Sequence, residues 1–282
     1  MFADYHVHCE FSDDSDYPML DVCRDAVGLG LDEICFTDHV DYGVKPDVEE
    51  YERDHSLARL ENGQPLLNVD YPRYFEAIDA AREQFTGKLS IKAGLELGVQ
   101  SHTIDRNQAL LDAWKDRMDF AICSIHEVGD KEFWTGEFQE GRTQAEYNQA
   151  YYEEMLAVVE GFKGYSVLGH LDLIKRYDPA GILPFEESRD VIAAILEQVI
   201  ADGKGIELNT SSFRYGLPDL QPCTEILRLY LDLGGSVLTL GSDSHEPAHL
   251  AAHIGEVRER LRGIGYEHFC TFERFEPVWH EL

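Results

Sequence analysis

The sequence predicts a single α/β domain built as a closed or nearly closed barrel of parallel strands. Three observations carry that prediction. Apolar, β-branched runs alternate with longer helical patterns along the chain, and repeated β-then-α order implies parallel strands joined by crossover helices. Metal-binding side chain types recur where six of those runs end: His6 and His8, Asp38 and His39, Glu96, His126, His170, then Asp243 and His245. A parallel barrel gathers the C-terminal ends of its strands on one face, so residues far apart in sequence meet there. An open doubly wound sheet, the competing architecture, concentrates its site at one switch point. The chain has neither a Gly-rich dinucleotide fingerprint nor a P-loop.

Taken in order, the first strand is expected near residues 2–8. A helix over 18–29 follows, opened by Pro18, which suits a first helical turn. The second strand, 33–37, contains Ile34-Cys35-Phe36 and runs into Thr37-Asp38-His39. Residues 41–68 form the least regular segment, polar and carrying Pro46 and Pro65. Following a strand end, it lies over the active face as a candidate lid or specificity loop. Helix 71–85, strand 89–97, helix 104–117 and strand 120–124 come next, then helix 143–161 and strand 166–169. Helix 185–201 starts after Pro184 and leads to strand 205–208. Helix 223–233 is stopped by Leu233-Gly234-Gly235, strand 236–240 follows, and a last helix is expected over 247–262. No internal repeat, low-complexity tract or linker divides the chain, so residues 1–282 read as one domain.

With 282 residues, 44% of them hydrophobic, the chain can bury an ordinary core. Its formal net charge of −30 argues against a basic surface for nucleic acid or an anionic membrane. Part of the acidic surplus can be metal-ligand carboxylate; most is solvated surface. No run approaches the roughly 20 apolar residues of a membrane span, and the N-terminus enters a strand pattern without a signal core. Cys9, Cys23, Cys35, Cys123, Cys223 and Cys270 form no C-x-x-C pair. They read as reduced, buried thiols of a cytosolic protein.

His6 and His8 alternate with Val7, so both imidazoles point to one side of a strand. Two nitrogen ligands on one face suit zinc, iron or manganese. Alone the pair is weak evidence; Asp38-His39 and Asp243-Ser244-His245, each after an apolar run, strengthen it. Any one residue has a plainer reading. His126 or His170 could be a hydrogen-bonded core histidine, and Glu96 a paired carboxylate. Coincidence at six strand ends is the weaker explanation. His249 and His253, spaced i, i+4 on the expected last helix, read as a solvated helix face. The aromatic stretch 146–152 reads as core and helix surface.

The order His-x-His, Thr-Asp-His, Glu, His, His, Asp-Ser-His resembles the polymerase-and-histidinol-phosphatase (PHP) superfamily over essentially the whole chain. That resemblance implies a distorted seven-stranded (β/α)7 TIM-like barrel holding three divalent metal ions. Within the superfamily the chain is most similar to the monofunctional histidinol-phosphatases. The segments that carry this are His6-Val7-His8-Cys9-Glu10-Phe11-Ser12, the run from His170 to Tyr177, and Glu207-Leu208-Asn209-Thr210-Ser211 followed by Phe213-Arg214.

Carried over residue by residue, the family's ligands fall on nine positions. His6, His8, Glu96 and Asp243 would hold one ion, and Asp14, His39 and His245 a second. His126 and His170 would hold a third, with Glu96 bridging to the first. Asp14 departs from the many members with His there, and Asp13 and Asp16 are local alternatives. Asp38 reads as a residue that orients a ligand or moves a proton, against a surface or capping role.

The activity implied is metal-dependent hydrolysis of L-histidinol phosphate to L-histidinol and phosphate in histidine biosynthesis, with metal ions deprotonating a bridging water. Zinc, iron or manganese would serve. Arg176 and Arg214, after the fifth and sixth strands, are candidates to fork the phosphoryl oxygens, against a reading as surface ion pairs. The sixth strand ends in Asn209-Thr210-Ser211-Ser212, without a strong metal ligand, and suits a substrate-facing loop. The leaving alkoxide needs a proton, from Asp38, a metal-bound water or a ligand histidine. Glu127 is the carboxylate suggested for the substrate amine. The partner is thus a small phosphate monoester, with no nucleic acid and no membrane. The alternatives are a PHP-type phosphoesterase acting on another small phosphate such as a nucleotide, and a non-catalytic metal-binding or partner-binding module.

Overall fold

Helices that return the chain to the start of the next strand force those strands to run parallel. In the computed structural model, which describes residues 1–282, the strands of the main sheet are β1 (Ala3–Val7), β2 (Glu33–Phe36), β3 (His39–Asp41), β4 (Ser90–Gly98), β5 (Phe120–Ser124), β6 (Val167–Leu168), β7 (Gly205–Asn209) and β8 (Leu238–Gly241). Their order is β1-β2-β4-β5-β6-β7-β8, and β3 also pairs with β4. Every pairing is parallel. β2 and β3 are one strand broken at Thr37-Asp38: Phe36 pairs with Ala93, and His39 resumes on Glu96. Seven strand positions therefore surround the axis. Beyond β8 a parallel bridge from Ser244 to Val7 brings the last strand back to the first. The expected distorted (β/α)7 barrel is formed, nearly closed.

The helices are α1 (Met19–Leu29), α2 (Val48–Arg53), α3 (Tyr71–Gln84), α4 (Ile104–Trp114), α5 (Gln144–Gly161), α6 (Arg189–Ala201), α7 (Thr224–Asp232) and α8 (Ile254–Ile264). Their starts and stops follow local chemistry. α1 begins after Pro18 and ends at Gly30, whose left-handed φ of 80° supplies the C-cap. α5 opens with a capping box between Thr143 and Glu146. The apolar faces of these helices meet the outer faces of the strands. On α1, Met19, Val22, Cys23 and Ala26 are buried, the spacing of one helix face.

Inside the barrel the strands alternate. Phe120, Ile122 and Ser124 share one face of β5; the first two join a small apolar cluster with Ala3, Tyr5 and Val167, while Ser124 Oγ donates to Glu96 at 2.7 Å. Apolar floor and polar site are thus stacked along the same strand. β1 reaches both layers through an extra residue. Asp4 pairs with Ile34 but Val7 with Phe36, and such a bulge redirects side chains. Tyr5 packs in the floor and His6, next in sequence, points into the site.

Two expectations at the C-terminus need correction. The last helix is Ile254–Ile264 rather than 247–262, because Ala251 (φ 54°) and His253 (φ 60°) adopt left-handed backbone that no helix continues through. His249 and His253 are therefore not a helical pair. His253 stacks on Phe213 at 4.0 Å between ring centroids, and His249 lines the cavity described below. A hairpin of β9 (His268–Glu273) and β10 (Glu276–Glu281) follows, which sequence reading missed. Its turn is Arg274-Phe275, both at positive φ, without the Gly or Asn that signals such a turn. The hairpin seals the barrel floor: Phe272 packs on Phe120, and its N–H donates to the Tyr5 hydroxyl at 2.8 Å.

Residues 41–68 carry α2 and a two-residue hairpin, and they place Lys45, Arg59, Glu61 and Leu66 on the cavity wall. All six cysteines are buried free thiols. No helix is long and apolar enough to cross a membrane.

Candidate metal centre and its cavity

Glu96 is the hub of the polar layer. It lies on β4 between Gly94 and Gly98, in an otherwise apolar run, and is fully buried. Its Oε1 faces His126 Nε2 at 3.1 Å and His170 Nε2 at 2.9 Å. Its Oε2 faces His6 Nε2 at 3.0 Å, His39 Nδ1 at 3.2 Å and His8 Nε2 at 3.4 Å. Five imidazoles from four strand ends thus converge on one carboxylate. Gly98 is required nearby, since a Cβ there would overlap the Asp41 carboxylate and lie 3.1 Å from His126 Nδ1.

Asp243 lies 3.8 Å from His6 Nε2 and 3.7 Å from His8 Nε2 through Oδ1. At the outer edge, Asp14 Oδ2 is 3.0 Å from His245 Nε2 and 3.5 Å from His39 Nε2. All nine expected ligand positions therefore come together. The possible ion-holding groups are His6, His8 and Glu96; His8, Asp14, His39 and His245; His6, His170 and Asp243; and Glu96, His126 and His170. His39, Asp41 and His126 form one more. Of the local alternatives to Asp14, Asp13 instead faces Lys45 at 2.8 Å, and Asp16 is exposed outside this cavity.

Three of the central imidazoles, His6, His126 and His8, are oriented from behind, as metal-binding histidines usually are. His6 Nδ1–H donates to Glu207 at 2.5 Å and His126 Nδ1–H to Asp41 at 2.8 Å. The Ser12 hydroxyl donates to Asp38 at 2.7 Å, so its oxygen is left to accept from His8 Nδ1–H at 3.1 Å. His8 Nε2 then carries a lone pair, is buried, and has no hydrogen-bond partner. An orphaned nitrogen beside two carboxylates fits a cation ligand.

Asp38, expected to orient a ligand or move a proton, stands behind His8 and binds the Cys9 N–H at 2.8 Å as well as Ser12. It is fully buried and does not line the cavity. It reaches the cluster through Ser12 and His8, the position of a group that orients a ligand. Glu127 is also buried away from the cavity, which removes it as partner for a substrate amine.

Glu207 and Asp41 were missed as site residues. The sixth strand, read as lacking a strong ligand type, carries Glu207 instead. Its signal was present, because Gly205-Ile206-Glu207-Leu208-Asn209 repeats the pattern Gly94-Leu95-Glu96-Leu97-Gly98. Asp41 follows His39 by two on one strand, and so shares its face.

Electrostatics follow from this packing. Burial raises the Glu96 carboxyl, but His6, His126 and His39 outweigh it and hold it well below the usual range. Burial likewise opposes ionisation of Asp243, and Arg214, His6 and Arg176 overcome it. Burial, reinforced by His245, His39 and His6, pushes His8 well down, keeping it in its neutral, ligating form. Arg176 Nη2 is 3.2 Å and Arg214 Nη2 3.4 Å from Asp243 Oδ2. Both arginines line the same cavity of about 410 Å³, Arg176 almost wholly buried.

Residues 4–211 match the model of the PHP domain family. The chain belongs to that family. This PHP domain is 31% identical over 272 residues to the histidinol-phosphatase of Lactococcus lactis subsp. lactis, covering 95% of this chain and 93% of that protein. It is 23% identical to the histidinol-phosphatase of Bacillus subtilis, over 75% of this chain and 81% of the other. Among solved structures, it superimposes on the crystal structure of histidinol phosphate phosphatase from L. lactis complexed with zinc, L-histidinol and phosphate. That match has a TM-score of 0.84 at 30% identity and covers 98% of both chains. In the PHP domain described here the nine converging side chains lie on strands of the main sheet or on the segments that follow them, with β4 supplying the central carboxylate.

Proposed function

We propose that the protein is a metal-dependent phosphomonoesterase that hydrolyses L-histidinol phosphate to L-histidinol and phosphate in histidine biosynthesis. The observation that carries this reading is the placement of Arg176 and Arg214 against Asp243, at the edge of a buried cluster of imidazoles and carboxylates. A purely structural metal site needs no such pair of guanidiniums on its open side. The substrate follows from similarity to the L. lactis enzyme, whose structure holds zinc, L-histidinol and phosphate.

His6, His8, Glu96 and Asp243 are assigned to one divalent cation, and Asp14, His39 and His245 to a second. His126 and His170 are assigned to a third, with Glu96 shared with the first. Zinc, iron and manganese all suit these nitrogen and oxygen donors. Bound cations supply an activated water and neutralise phosphoryl oxygens.

The chain's own residues do the rest. Glu207, Asp41 and Ser12 hold the Nδ1 protons of His6, His126 and His8, which aims each Nε2 inward. Arg176, held by Gln221 and Ser211, and Arg214, held by the Ser242 and Asp243 carbonyls, bring guanidinium charge beside Asp243, and their remaining N–H groups would meet a phosphoryl group there. Such preorganised charge is where most of the rate enhancement in phosphoryl transfer arises.

The test is phosphate release from L-histidinol phosphate, run beside nucleotide and sugar phosphates. The protein would be stripped with chelator and reloaded separately with zinc, iron or manganese, with Asp243→Ala as control. Strong preference for L-histidinol phosphate, lost on stripping and in the control, is expected. Preference for a nucleotide would reject the substrate; full activity after stripping would reject the metal.

A further inference from the structure

Besides Arg176 and Arg214, the cavity wall carries Lys45 and Arg59. Arg59 is half exposed, whereas Lys45 is held inside the wall with its side chain only 11% exposed. The Lys45 Nζ lies 2.8 Å from Asp13 Oδ1 and 2.9 Å from Asp41 Oδ2. Both of those carboxylates are largely covered as well. The ends of the irregular segment 41–68 set the lysine in place. The Lys45 N–H donates to the Asp41 carbonyl at 2.9 Å. Asn68, buried at the far end, accepts from the Asp41 N–H at 2.8 Å and donates to the Lys45 carbonyl at 3.0 Å. The backbone from which the ammonium projects is thus fixed.

Each partner of Lys45 leads to a different part of the cluster. Asp41 uses its other oxygen, Oδ1, to accept the Nδ1–H of His126, which leaves His126 Nε2 a lone pair for ligation. Asp13 directly precedes Asp14, the ligand at the outer edge. An ammonium suits this point better than a metal ion. His39, Asp41 and His126 are close enough to gather around a cation, and an ion there would compete with the His126 Nδ1–H for the Asp41 carboxylate. A lysine ammonium donates and never accepts. It neutralises Asp41 from the far side and leaves the hydrogen bond to His126 intact.

We propose that Lys45 is a positioning residue of the metal centre: its ammonium locks Asp41 onto His126 and ties the loop bearing Asp14 to the same point. The inference rests on the metal assignment above and not on the identity of the substrate. Lys45 pairs with none of the nine assigned ligands, so it acts on the ions through Asp41 and through the chain at Asp13. The ions assigned to His126 with His170, and to Asp14 with His39 and His245, depend on it. The ion assigned to His6 and His8 does not, since Glu207 and Ser12 aim those two imidazoles.

The experiment is a competition titration of zinc against a chromophoric chelator, which resolves the stepwise affinities. Wild-type protein, Lys45→Met, Lys45→Arg and Asp13→Asn would be compared, and the melting temperature of each metal-free protein measured alongside. In Lys45→Met at least one zinc should bind about 10–100-fold more weakly, while at least one keeps its wild-type affinity. Lys45→Arg should recover part of the loss. The metal-free melting temperature of Lys45→Met should stay close to that of wild type. Wild-type affinity for every zinc in Lys45→Met would overturn the proposal. So would an equal weakening of every zinc, because a general loss of packing moves all sites together. Asp13→Asn, at an exposed residue, decides the matter where Lys45→Met fails to fold. It should weaken one zinc and spare the rest, and unchanged affinities in it would overturn the clamp. A wild-type protein that binds no zinc would overturn the metal assignment and this inference with it.

Discussion

Asp4 and Ser242 lie 238 residues apart in sequence and are joined by two hydrogen bonds across the seam of the barrel. The Asp4 carboxylate accepts from the Ser242 N–H at 2.9 Å and from its hydroxyl, and also from the Ala251 N–H at 2.9 Å. Beside it, His8 N–H donates to the Ser244 carbonyl at 2.8 Å. The seam thus fixes the distance between the strand ends carrying His6, His8 and Asp243.

Removing that carboxylate should open the seam. Asp4→Ala leaves buried donors on Ser242 and Ala251 without acceptors, at a cost of about 3 kcal/mol. For a chain of this size the melting temperature should fall by roughly 6–10 °C. Thermal unfolding of the two proteins at matched metal content measures it; an unchanged midpoint would show that the backbone bridge alone closes the barrel.

Glu207 should matter for metal affinity. Glu207→Gln weakens the acceptor for His6 Nδ1–H and sets an amide beside the His170 N–H, which Glu207 accepts at 2.8 Å. Losing such a partner typically costs about 10–100-fold in affinity. Competition with a chromophoric chelator would read the constant directly. Wild-type affinity in the variant would exclude the orienting role.

The arginines should act through shape as well as charge. Arg176→Lys and Arg214→Lys keep a cation but lose the planar fork. Each should lower kcat/KM for the phosphate monoester by roughly 10²-fold or more, and raise the inhibition constant of inorganic phosphate. Steady-state kinetics with phosphate as product inhibitor tests both. Unaltered phosphate inhibition would place the phosphoryl group elsewhere.

A stability contribution far from the site should depend on pH in a defined direction. Asp219 accepts from the first N–H of α7, on Thr224, at 2.7 Å and pairs with Arg260 at 3.0 Å. Burial raises its carboxyl, but hydrogen bonds from Thr224 and the charge of Arg260 carry it below its ordinary value. A depressed folded pKa means a contribution fully present above the unfolded value of about 3.9 and lost as pH falls through the folded one. Asp219→Ala should therefore cost about 1 kcal/mol near neutrality. The gap from wild type should close below about pH 4. Urea unfolding at several pH values measures it, and a gap independent of pH would contradict the charge argument.

Much of this molecule was legible locally. Strand ends, helix starts at Pro18 and Thr143, and the ligand types at His6, His8, His39, Glu96, His126, His170, Asp243 and His245 are all properties of short segments. Their alternation with apolar runs implied a parallel barrel, because strands buried on both faces and helices amphipathic on one have few other ways to pack. What lay between segments was decided only by tertiary structure. The hydrogen bonds from His6 to Glu207 and from His126 to Asp41 depend on strand register and stagger. So does the selection of Glu132 over Glu127 for the cavity wall. The C-terminal hairpin, with its unmarked Arg274-Phe275 turn, forms against a floor that exists only once the barrel has closed. Ligand identity is thus written along the chain, whereas the partners that aim each ligand are set by three-dimensional packing, since a side chain's own neighbours in sequence do not determine what faces it across a barrel.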